Sequence, residues 1–232
     1  MSRVVVCWLA LVLVHGPASA GEPKTIELVN GKDLSGWKFK GDPKRSKWQA
    51  TDVRLNPNKP EQFLAAKHAT GEPFWLVNMG GGVDAYTEQK FTDCRITVEF
   101  MIPKGSNSGV YLMGEYELQI LDSHGKAKVG PGDLGGIYHA SAPKVNASKK
   151  PGEWQTFVID FQAPKFEGSK KIANAKFLKV TLNDTIIQEN VEMKGPTPGG
   201  LTGHEVASGP ILLQGDHGAV AFRKITVVPA SK

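Results

Sequence analysis

Polar residues that can bind hydroxyl groups or move protons cluster in one short stretch near the middle of the chain. Glu117 and Gln119 are two positions apart, and Asp122, Ser123 and His124 follow at the end of the same segment. Side chains of a β-strand point alternately to its two faces. Glu117 and Gln119 therefore share one face, and the apolar residues between and beside them share the other: Tyr116, Leu118 and Ile120. The pattern predicts a strand with a polar working face.

Residues 107–125 are predicted to form two short strands joined by a tight turn at Gly114, which brings Glu117, Gln119 and Asp122 close together. A carboxylate, an amide and a nearby base suit a groove that binds sugar hydroxyls. Asp122 is an odd number of positions from Glu117, so an undistorted strand would turn it to the other face. The alternative is a half-exposed strand whose polar face is only solvated.

The first twenty residues are typical of a secretory signal peptide. Arg3 precedes an apolar run over residues 4–14, and small residues occupy 18–20. The run is shorter than the about 20 residues of a membrane-spanning helix, so we expect cleavage after Ala20 and export. A retained anchor is the alternative. Of the two cysteines, only Cys94 lies in the mature chain, and we expect it to be buried and inert.

Charge and composition argue against nucleic-acid binding. The net charge of +5 comes from 28 basic and 23 acidic residues. The lysines are scattered rather than concentrated with aromatic residues along one element, which is the usual pattern of a nucleic-acid surface. We expect neither a nucleic-acid partner nor a membrane span in the mature chain.

Short alternating segments bounded by turn residues predict an all-β protein. The 26 glycines and 15 prolines divide the chain into segments at 96–100, 154–159, 177–182 and 219–227. Many such strands in one chain favour an antiparallel β-sandwich. We find no repeat and no dividing linker, so we expect a single domain over residues 21–232.

Turn and loop signals divide these strands. Asn183 and Asp184 are expected to form a hairpin turn. Residues 163–174 are expected to form a long surface loop. Two further loops, 125–136 and 193–209, are long enough to form the rim of a binding groove.

The motifs, taken in order, resemble those of the 3-keto-disaccharide hydrolase domain family, within the concanavalin A-like lectin and glucanase superfamily. The match covers nearly all of the mature chain. Its motifs are LVNGKDLSGW (28–37), FTD (91–93), NSGVYL (107–112), YELQILD (116–122), GIY (136–138), PGEW (151–154), GPILLQ (209–214), HG (217–218) and FRKI (222–225).

The resemblance implies a concanavalin A-like jelly roll with a sugar groove crossed by the strand that carries Glu117. Related glucanases carry several acids at alternating positions of that strand, whereas Gln119 is a neutral amide. Ordinary glycosidases use two carboxylates about 5 to 10 Å apart. The sequence therefore argues against a plain two-carboxylate hydrolase.

The family name suggests elimination followed by hydration. A ketone at C3 of a sugar makes the C2 hydrogen acidic, so a base can remove it and the enolate can expel the aglycone from C1. We expect the catalytic residues to be Glu117, His124 and His217. The expected substrate-binding residues are Asn107, Tyr111, Gln119, Asp122, Tyr138, His139, Gln214 and Arg223. Arg223 has an alternative, which is a structural ion pair with an acid such as Glu99.

A divalent metal that polarises the ketone is possible, but no spacing demands one and no cofactor is certain. Of the tryptophans, most are expected in the core, with Trp75 nearest the rim. Two other functions stay open at this point: a non-catalytic, lectin-like carbohydrate-binding module, and an ordinary glycoside hydrolase. The sequence does not determine the oligomeric state.

Overall fold

A computed structural model describes residues 24–230, and the predicted signal peptide at 1–20 lies outside them. The described residues form seventeen strands and one short 3-10 turn, Pro43–Arg45. The strands are β1 Ile26–Glu27, β2 Trp37–Phe39, β3 Trp48–Thr51, β4 Val53–Asn56, β5 Lys59–Ala65, β6 Trp75–Asn78, β7 Ala85–Thr87, β8 Cys94–Met101, β9 Asn107–Leu112, β10 Tyr116–Leu121, β11 Gln155–Gln162, β12 Lys165–Glu167, β13 Lys170–Ala173, β14 Ala175–Leu182, β15 Thr185–Met193, β16 Leu212–Leu213 and β17 Val220–Pro229.

Two antiparallel sheets carry most of these strands. The larger sheet has the order β15-β14-β11-β8-β17-β6-β3, with β1 also pairing with β17. The smaller sheet has the order β10-β9-β16-β7-β2. The predicted all-β antiparallel sandwich of the jelly-roll type is confirmed.

The main core lies between the two sheets. Phe100 and Phe157 of the larger sheet stack with ring centroids 4.9 Å apart. From the smaller sheet, Val110, Leu118 and Leu213 are fully buried in the same cluster. Because alternate residues of each strand enter this core, the intervening residues of the smaller sheet are directed to its opposite face. We call that opposite face the groove face.

Residues in register across the smaller sheet form rows on the groove face. One row runs through Glu117, Tyr111, Leu212, Tyr86 and Lys38. A neighbouring row contains Gln119 and Gly109, which are also paired. These rows bring together residues from five strands that are far apart in the sequence.

The turn predictions at Gly114 and at Asn183–Asp184 are confirmed. Met113 and Gly114 have φ angles of 60° and 74°, and Asn183 and Asp184 have 49° and 67°. Two successive residues with positive φ are the signature of the type I′ hairpin turn. The β9–β10 turn places Glu117 directly opposite Tyr111.

The expected surface loop over residues 163–174 is wrong. Its residues form a hairpin in which β12 pairs with β13. The Gly and Lys residues that suggested a loop lie in and beside the turn of this hairpin. Gly168 forms part of the turn and adopts a positive φ of 57°.

Cys94 is buried, as expected, and burial raises the pKa of its thiol to about 12. A thiol with this pKa stays protonated at neutral pH and is a poor nucleophile. Among residues 24–230, no helix is long and apolar enough to cross a membrane.

Candidate active site

A cavity of ≈ 200 Å³ opens on the groove face, and seven of the predicted site residues line it. These seven residues come from β9, β10, the segment after β16 and the loop after β10. Pro198 and Gly199 complete the cavity wall. The predicted residues are Asn107, Tyr111, Glu117, Gln119, Tyr138, Gln214 and His217. Four of them lie on the predicted hairpin formed by β9 and β10. Gln214 and His217 join them because β16 inserts between β7 and β9.

The segment that carries Tyr138 reaches the cavity by pairing with the free edge of β10. The amide of Gln119 donates to Gly136 O at 2.9 Å, and the amide of Tyr138 donates to Glu117 O at 3.1 Å. These bonds extend the smaller sheet beyond β10. They also hold Tyr138 beside Glu117. Of the two loops predicted to form the rim, 193–209 lines the cavity through Pro198 and Gly199, whereas no residue of 125–136 does.

Glu117 is the buried acid of the cavity, with only 2% of its surface exposed. Burial raises the pKa of Glu117 to about 7, and the nearby charges of Asp84 and Asp216 act in the same direction. The neighbouring Tyr111 hydroxyl and the charge of His217 oppose this rise in pKa. At neutral pH the carboxyl group therefore exists in both protonation states, which suits a general base or acid.

Gly109 allows the Glu117 side chain to lie flat on the sheet. A Cβ atom at position 109 would overlap Glu117 Oε1 and would lie within 3.0 Å of Glu117 Cδ. Since Gly109 is the cross-strand partner of Gln119, this glycine leaves space beside two cavity residues. The glycine in the NSGVYL motif therefore serves the site, a role that the sequence analysis did not assign to it.

Three side-chain amides of the cavity carry a buried oxygen without a hydrogen-bond partner among the described residues. They are Asn107 Oδ1, Gln119 Oε1 and Gln214 Oε1. Leaving a buried acceptor unpaired costs about 1–3 kcal/mol. Their convergence on one cavity is the pattern expected of a site that binds a ligand rich in hydroxyl groups.

Tyr111 is a neutral hydrogen-bonding group in the cavity wall. Burial, and after it the charge of Glu117, raises the pKa of Tyr111 above its ordinary value. Its hydroxyl donates to Pro198 O at 3.3 Å, and Gln214 Nε2 approaches it at 3.4 Å. The phenol thus stays protonated and links β9 to the loop over the cavity.

His217 is exposed at the mouth of the cavity. Its Nδ1 lies 2.5 Å from Asp216 Oδ1, so Nε2 is the ring nitrogen left for a ligand. A carboxylate bonded to one ring nitrogen orients the imidazole and fixes which nitrogen faces the cavity. His217 can therefore donate or accept a proton at the open side of the cavity.

Four of the predicted site residues lie away from the cavity. The Asp122 carboxylate accepts hydrogen bonds from the amides of Gly105 and His124, at 2.9 and 3.3 Å. Asp122 and His124 line a separate depression beside Lys104 and Lys150. The expected proximity of Asp122 to Glu117 is therefore not observed, because the odd spacing turns its side chain away as the alternation rule requires.

His139 and Arg223 are the other two predicted site residues that lie away from the cavity. His139 is exposed, has a positive φ of 57°, and packs against the Tyr138 ring with centroids 4.3 Å apart. Arg223 Nε donates to Glu99 Oε2 at 2.5 Å, and its guanidinium lies 4.6 Å from the ring centroid of Trp154. The ion pair with Glu99, considered above as the structural alternative for Arg223, is therefore observed.

The expectation that Trp75 lies at the groove rim is wrong. Its ring packs edge-on against Trp154, with centroids 4.9 Å apart, and both rings join the small cluster formed with β4 and β5. Trp75 also lines a depression with Arg223 and Glu99. Trp37 and Trp48 are buried in the main core, as expected.

The sequence analysis missed Asp84, a buried acid near the cavity. Asp84 is 7% exposed, and burial raises the pKa of its carboxyl. Its Oδ1 accepts from the Gly215 amide at 2.9 Å, while Lys40 Nζ lies 3.6 Å from Oδ2. Asp84 and Tyr86 are two positions apart at β7, and this spacing could have indicated that Asp84 lies on the same side of the sheet as Tyr86. Asp84 does not line the cavity, so it does not supply the second carboxylate of an ordinary glycosidase there.

A larger depression, of ≈ 480 Å³, lies at Asp93, Cys94 and Arg95 on the larger sheet. Its charged residues are paired, as in the 2.6 Å contact between Arg95 and Asp160. None of its residues carries a buried polar atom without a partner. Within residues 24–230, no group of three or more His, Cys, Asp or Glu side chains is arranged to hold a metal ion.

Comparison with known proteins agrees with this arrangement. Residues 24–228 match the family described as the 3-keto-alpha-glucoside-1,2-lyase-like domain. A candidate glycosyl hydrolase from Parabacteroides distasonis is 27% identical with a TM-score of 0.66, and the match covers 89% of this chain and 84% of that chain. A second from the same organism is 21% identical with a TM-score of 0.57, covering 89% and 100%, and shows the same fold. No protein of curated function matches the chain.

Proposed function

Because the chain belongs to the family of 3-keto-alpha-glucoside-1,2-lyase-like domains, we propose that it is an enzyme that cleaves 3-keto-glycosides. The reaction would be elimination of the aglycone followed by hydration. One observation carries the proposal: three buried amide oxygens without partners surround a buried carboxyl group whose pKa is raised to about 7. The amides suit sugar hydroxyls, and the carboxyl suits the removal of a weakly acidic C–H proton.

Glu117 acts as the base in this proposal. Its carboxylate takes the proton from C2, and the electron pair of the C–H bond moves toward the C3 carbonyl to form an enolate. The enolate then re-forms the ketone as the C1–O bond breaks, leaving a double bond between C1 and C2. A base with a pKa near the working pH is the most effective for such a transfer.

His217 acts as the proton donor for the leaving group. The departing aglycone oxygen takes a proton from the imidazolium, whose ring the Asp216 carboxylate orients through a 2.5 Å contact with Nδ1. Water then adds at C1 and returns a proton to His217, while protonated Glu117 returns its proton to C2. The two residues recover their starting states, and the net reaction is hydrolysis.

Neutral donors around the cavity stabilise the enolate oxygen. Tyr111 stays protonated because burial raises its pKa, and Tyr138 brings a second phenol to the same cavity. The amide nitrogens of Asn107 and Gln214 are further donors. Fixed donors placed where negative charge develops are the main source of rate acceleration in many enzymes.

The testing experiment compares a 3-keto-glucoside with its unoxidised parent, using purified protein with and without a chelator. We expect aglycone release from the keto sugar alone, and loss of release in Glu117→Gln with binding retained. Glu88→Gln, an exposed acid on the neighbouring surface, is the matched control and should keep full activity.

Four outcomes would change the assignment or its details. Binding of either sugar without release would favour a lectin-like module. Release from the unoxidised parent would favour an ordinary glycoside hydrolase, and full activity in Glu117→Gln would exclude Glu117 as the base. Loss of activity with chelator would establish a metal requirement.

The proposal includes export of the mature protein. Its support is the apolar run over residues 4–14 and the small residues at 18–20. N-terminal sequencing of protein recovered outside the cytoplasm is expected to begin at Gly21, and a sequence beginning at residue 1 or 2 would contradict cleavage.

A further inference from the structure

Residues 197–203 cross the groove face as a fixed segment, which we call the strap. At its start, the Thr197 amide donates to Glu115 O at 2.9 Å. The Thr197 hydroxyl donates to Glu115 O at 3.0 Å and accepts from the Glu117 amide at 2.9 Å. The start of the strap is thus bonded to the strand that carries the proposed base.

The far end of the strap returns to the β9–β10 turn. The Leu201 amide donates to Gly114 O at 2.7 Å. The Glu115 carboxylate, which is 2% exposed, accepts from the amides of Thr202 and Gly203, each at 2.9 Å. A buried carboxylate that accepts several N–H bonds makes a strong, charge-assisted anchor.

Lys40 holds the middle of the strap from the opposite edge of the sheet. It directly follows β2, whereas both ends of the strap are bonded at the β9–β10 turn and the start of β10. Lys40 Nζ donates to Gly199 O at 3.0 Å and to Gly200 O at 2.9 Å. Its ammonium group also lies 3.6 Å from the buried Asp84 carboxylate, which fixes its position.

Two glycines let the strap lie close against the sheet. A Cβ at position 199, where φ is +83°, would be 2.8 Å from the Tyr111 hydroxyl. A Cβ at position 200 would overlap the Glu115 carboxylate. The strap therefore leaves no passage for a sugar ring between itself and the sheet.

The strap divides the groove face into two separate depressions. Pro198 and Gly199 line the ≈ 200 Å³ cavity that contains Glu117. Leu201 and Thr202 line a second depression, of ≈ 320 Å³, that contains Tyr86 and Lys38. The two share the strap as a wall, although Glu117, Tyr111, Tyr86 and Lys38 belong to one continuous row of the sheet.

We propose that the strap, held by Lys40, makes the catalytic cavity blind at one end, so that it accepts only a terminal sugar residue. This inference rests on the proposed function. The aglycone leaves at the open side beside His217, so the opposite end of the ring, at O4, faces the strap. A further sugar attached at O4 would collide with the strap, and Lys40 is the positioning residue that holds the strap there.

The test compares Lys40→Met with Lys38→Met, both made in a Glu117→Gln background that binds without turnover. Lys38 is two residues away on the same face, and its ion pair is with exposed Glu88, at 3.8 Å. Binding is measured for a methyl 3-keto-glucoside and for the same sugar carrying an extra glucose at O4. Hydrogen exchange at the amides of residues 201–203 reports on the strap itself.

The background protein should bind the O4-extended sugar at least about tenfold more weakly, a difference of about 1.4 kcal/mol. Lys40→Met should narrow this gap and speed exchange at 201–203, whereas Lys38→Met should change neither. Equal binding of both sugars by the background protein would overturn the blind cavity. Unchanged exchange in Lys40→Met would overturn the role of Lys40, and failure to bind either sugar would contradict the proposed function as well.

Discussion

Glu117 is deeply buried and also lines the cavity, and these two properties govern its chemistry. The low polarity around it favours the neutral carboxyl, so its pKa rises to about 7. The Tyr111 hydroxyl and the His217 charge keep that rise from being larger. The same burial that makes Glu117 a suitable base should make the folded protein sensitive to pH.

We predict that the free energy of unfolding falls as the pH rises from about 5 to 8. The folded-state pKa of Glu117 is above its ordinary 4.5, so folding favours the protonated form, and the stabilisation present below 4.5 is lost as the pH rises through about 7. At about 1.4 kcal/mol per pKa unit, the loss is about 3 kcal/mol.

Urea unfolding of the wild type and of Glu117→Gln, at pH 5 and at pH 8, measures how much Glu117 contributes to this loss of stability. The variant should lose less stability between the two pH values, while Glu88→Gln should follow the wild type. Equal losses in all three proteins would show that Glu117 does not titrate in this range.

A methyl group at position 109 should displace Glu117. In Gly109→Ala the new Cβ overlaps Glu117 Oε1, and a misplacement of about 1 Å can lower turnover on the order of a hundredfold. The measurement is aglycone release from a 3-keto-glucoside. Gly195→Ala is the control, because a Cβ there meets nothing within 4 Å. Wild-type turnover in Gly109→Ala would contradict the proposed placement of the base.

At the scale of elements, the β9–β10 hairpin is the frame of the site and other segments attach to it. Residues 135–138 pair with the outer edge of β10, and the strap is bonded to the turn. Thr197 joins these parts, because its hydroxyl bridges the Glu117 amide and the Glu115 carbonyl. An edge strand covered on both sides has little freedom to move its side chains.

Thr197→Val should weaken both the fold and the site. The substitution keeps the side-chain shape but removes two buried hydrogen bonds, at a cost of about 1–3 kcal/mol. Urea unfolding and aglycone release should both report a loss, and Thr197→Ser should restore most of each. A Val variant with unchanged stability would contradict the structural role of this hydroxyl.

The strands themselves follow from the alternation, whereas the hairpin at 165–173 does not. Its residues are mostly polar, so the period-two contrast that identifies a strand is absent. Pairing between β12 and β13 and the Lys171 contact with Glu205, at 2.5 Å, hold it in place. Tertiary contacts therefore decided a segment whose local sequence resembles a loop.

At the scale of the whole molecule, the two sheets separate residues that the sequence analysis had grouped. Arg223 and Trp75 extend from the larger sheet toward the β4–β5 hairpin, while the cavity opens on the smaller sheet. Arg223 is exposed and paired with Glu99. Exposed ion pairs typically contribute about 0–1 kcal/mol, so this residue has a minor structural role.

Arg223→Gln and His124→Ala should therefore leave turnover within about twofold of the wild type, which is less than 0.5 kcal/mol in activation free energy. Gln214→Ala, which removes a cavity amide, should raise KM for the 3-keto-glucoside. Steady-state kinetics of the three variants separates the two groups. A large loss in Arg223→Gln would place an essential contact on the opposite sheet and contradict the site.

The sequence by itself determined which face each side chain occupies, because alternation is a local property of an extended backbone. It predicted that Glu117 and Gln119 share a face, and the ordered motifs indicated the family. The same alternation rule argued against placing Asp122 beside Glu117, where it was nevertheless expected. Only the tertiary structure decided which strands lie side by side. Asp84 approaches Glu117 and Lys40 reaches the strap through long-range pairing, in which β16 lies between β7 and β9. Neighbours across a sheet depend on contacts between distant segments, so no local pattern specifies them.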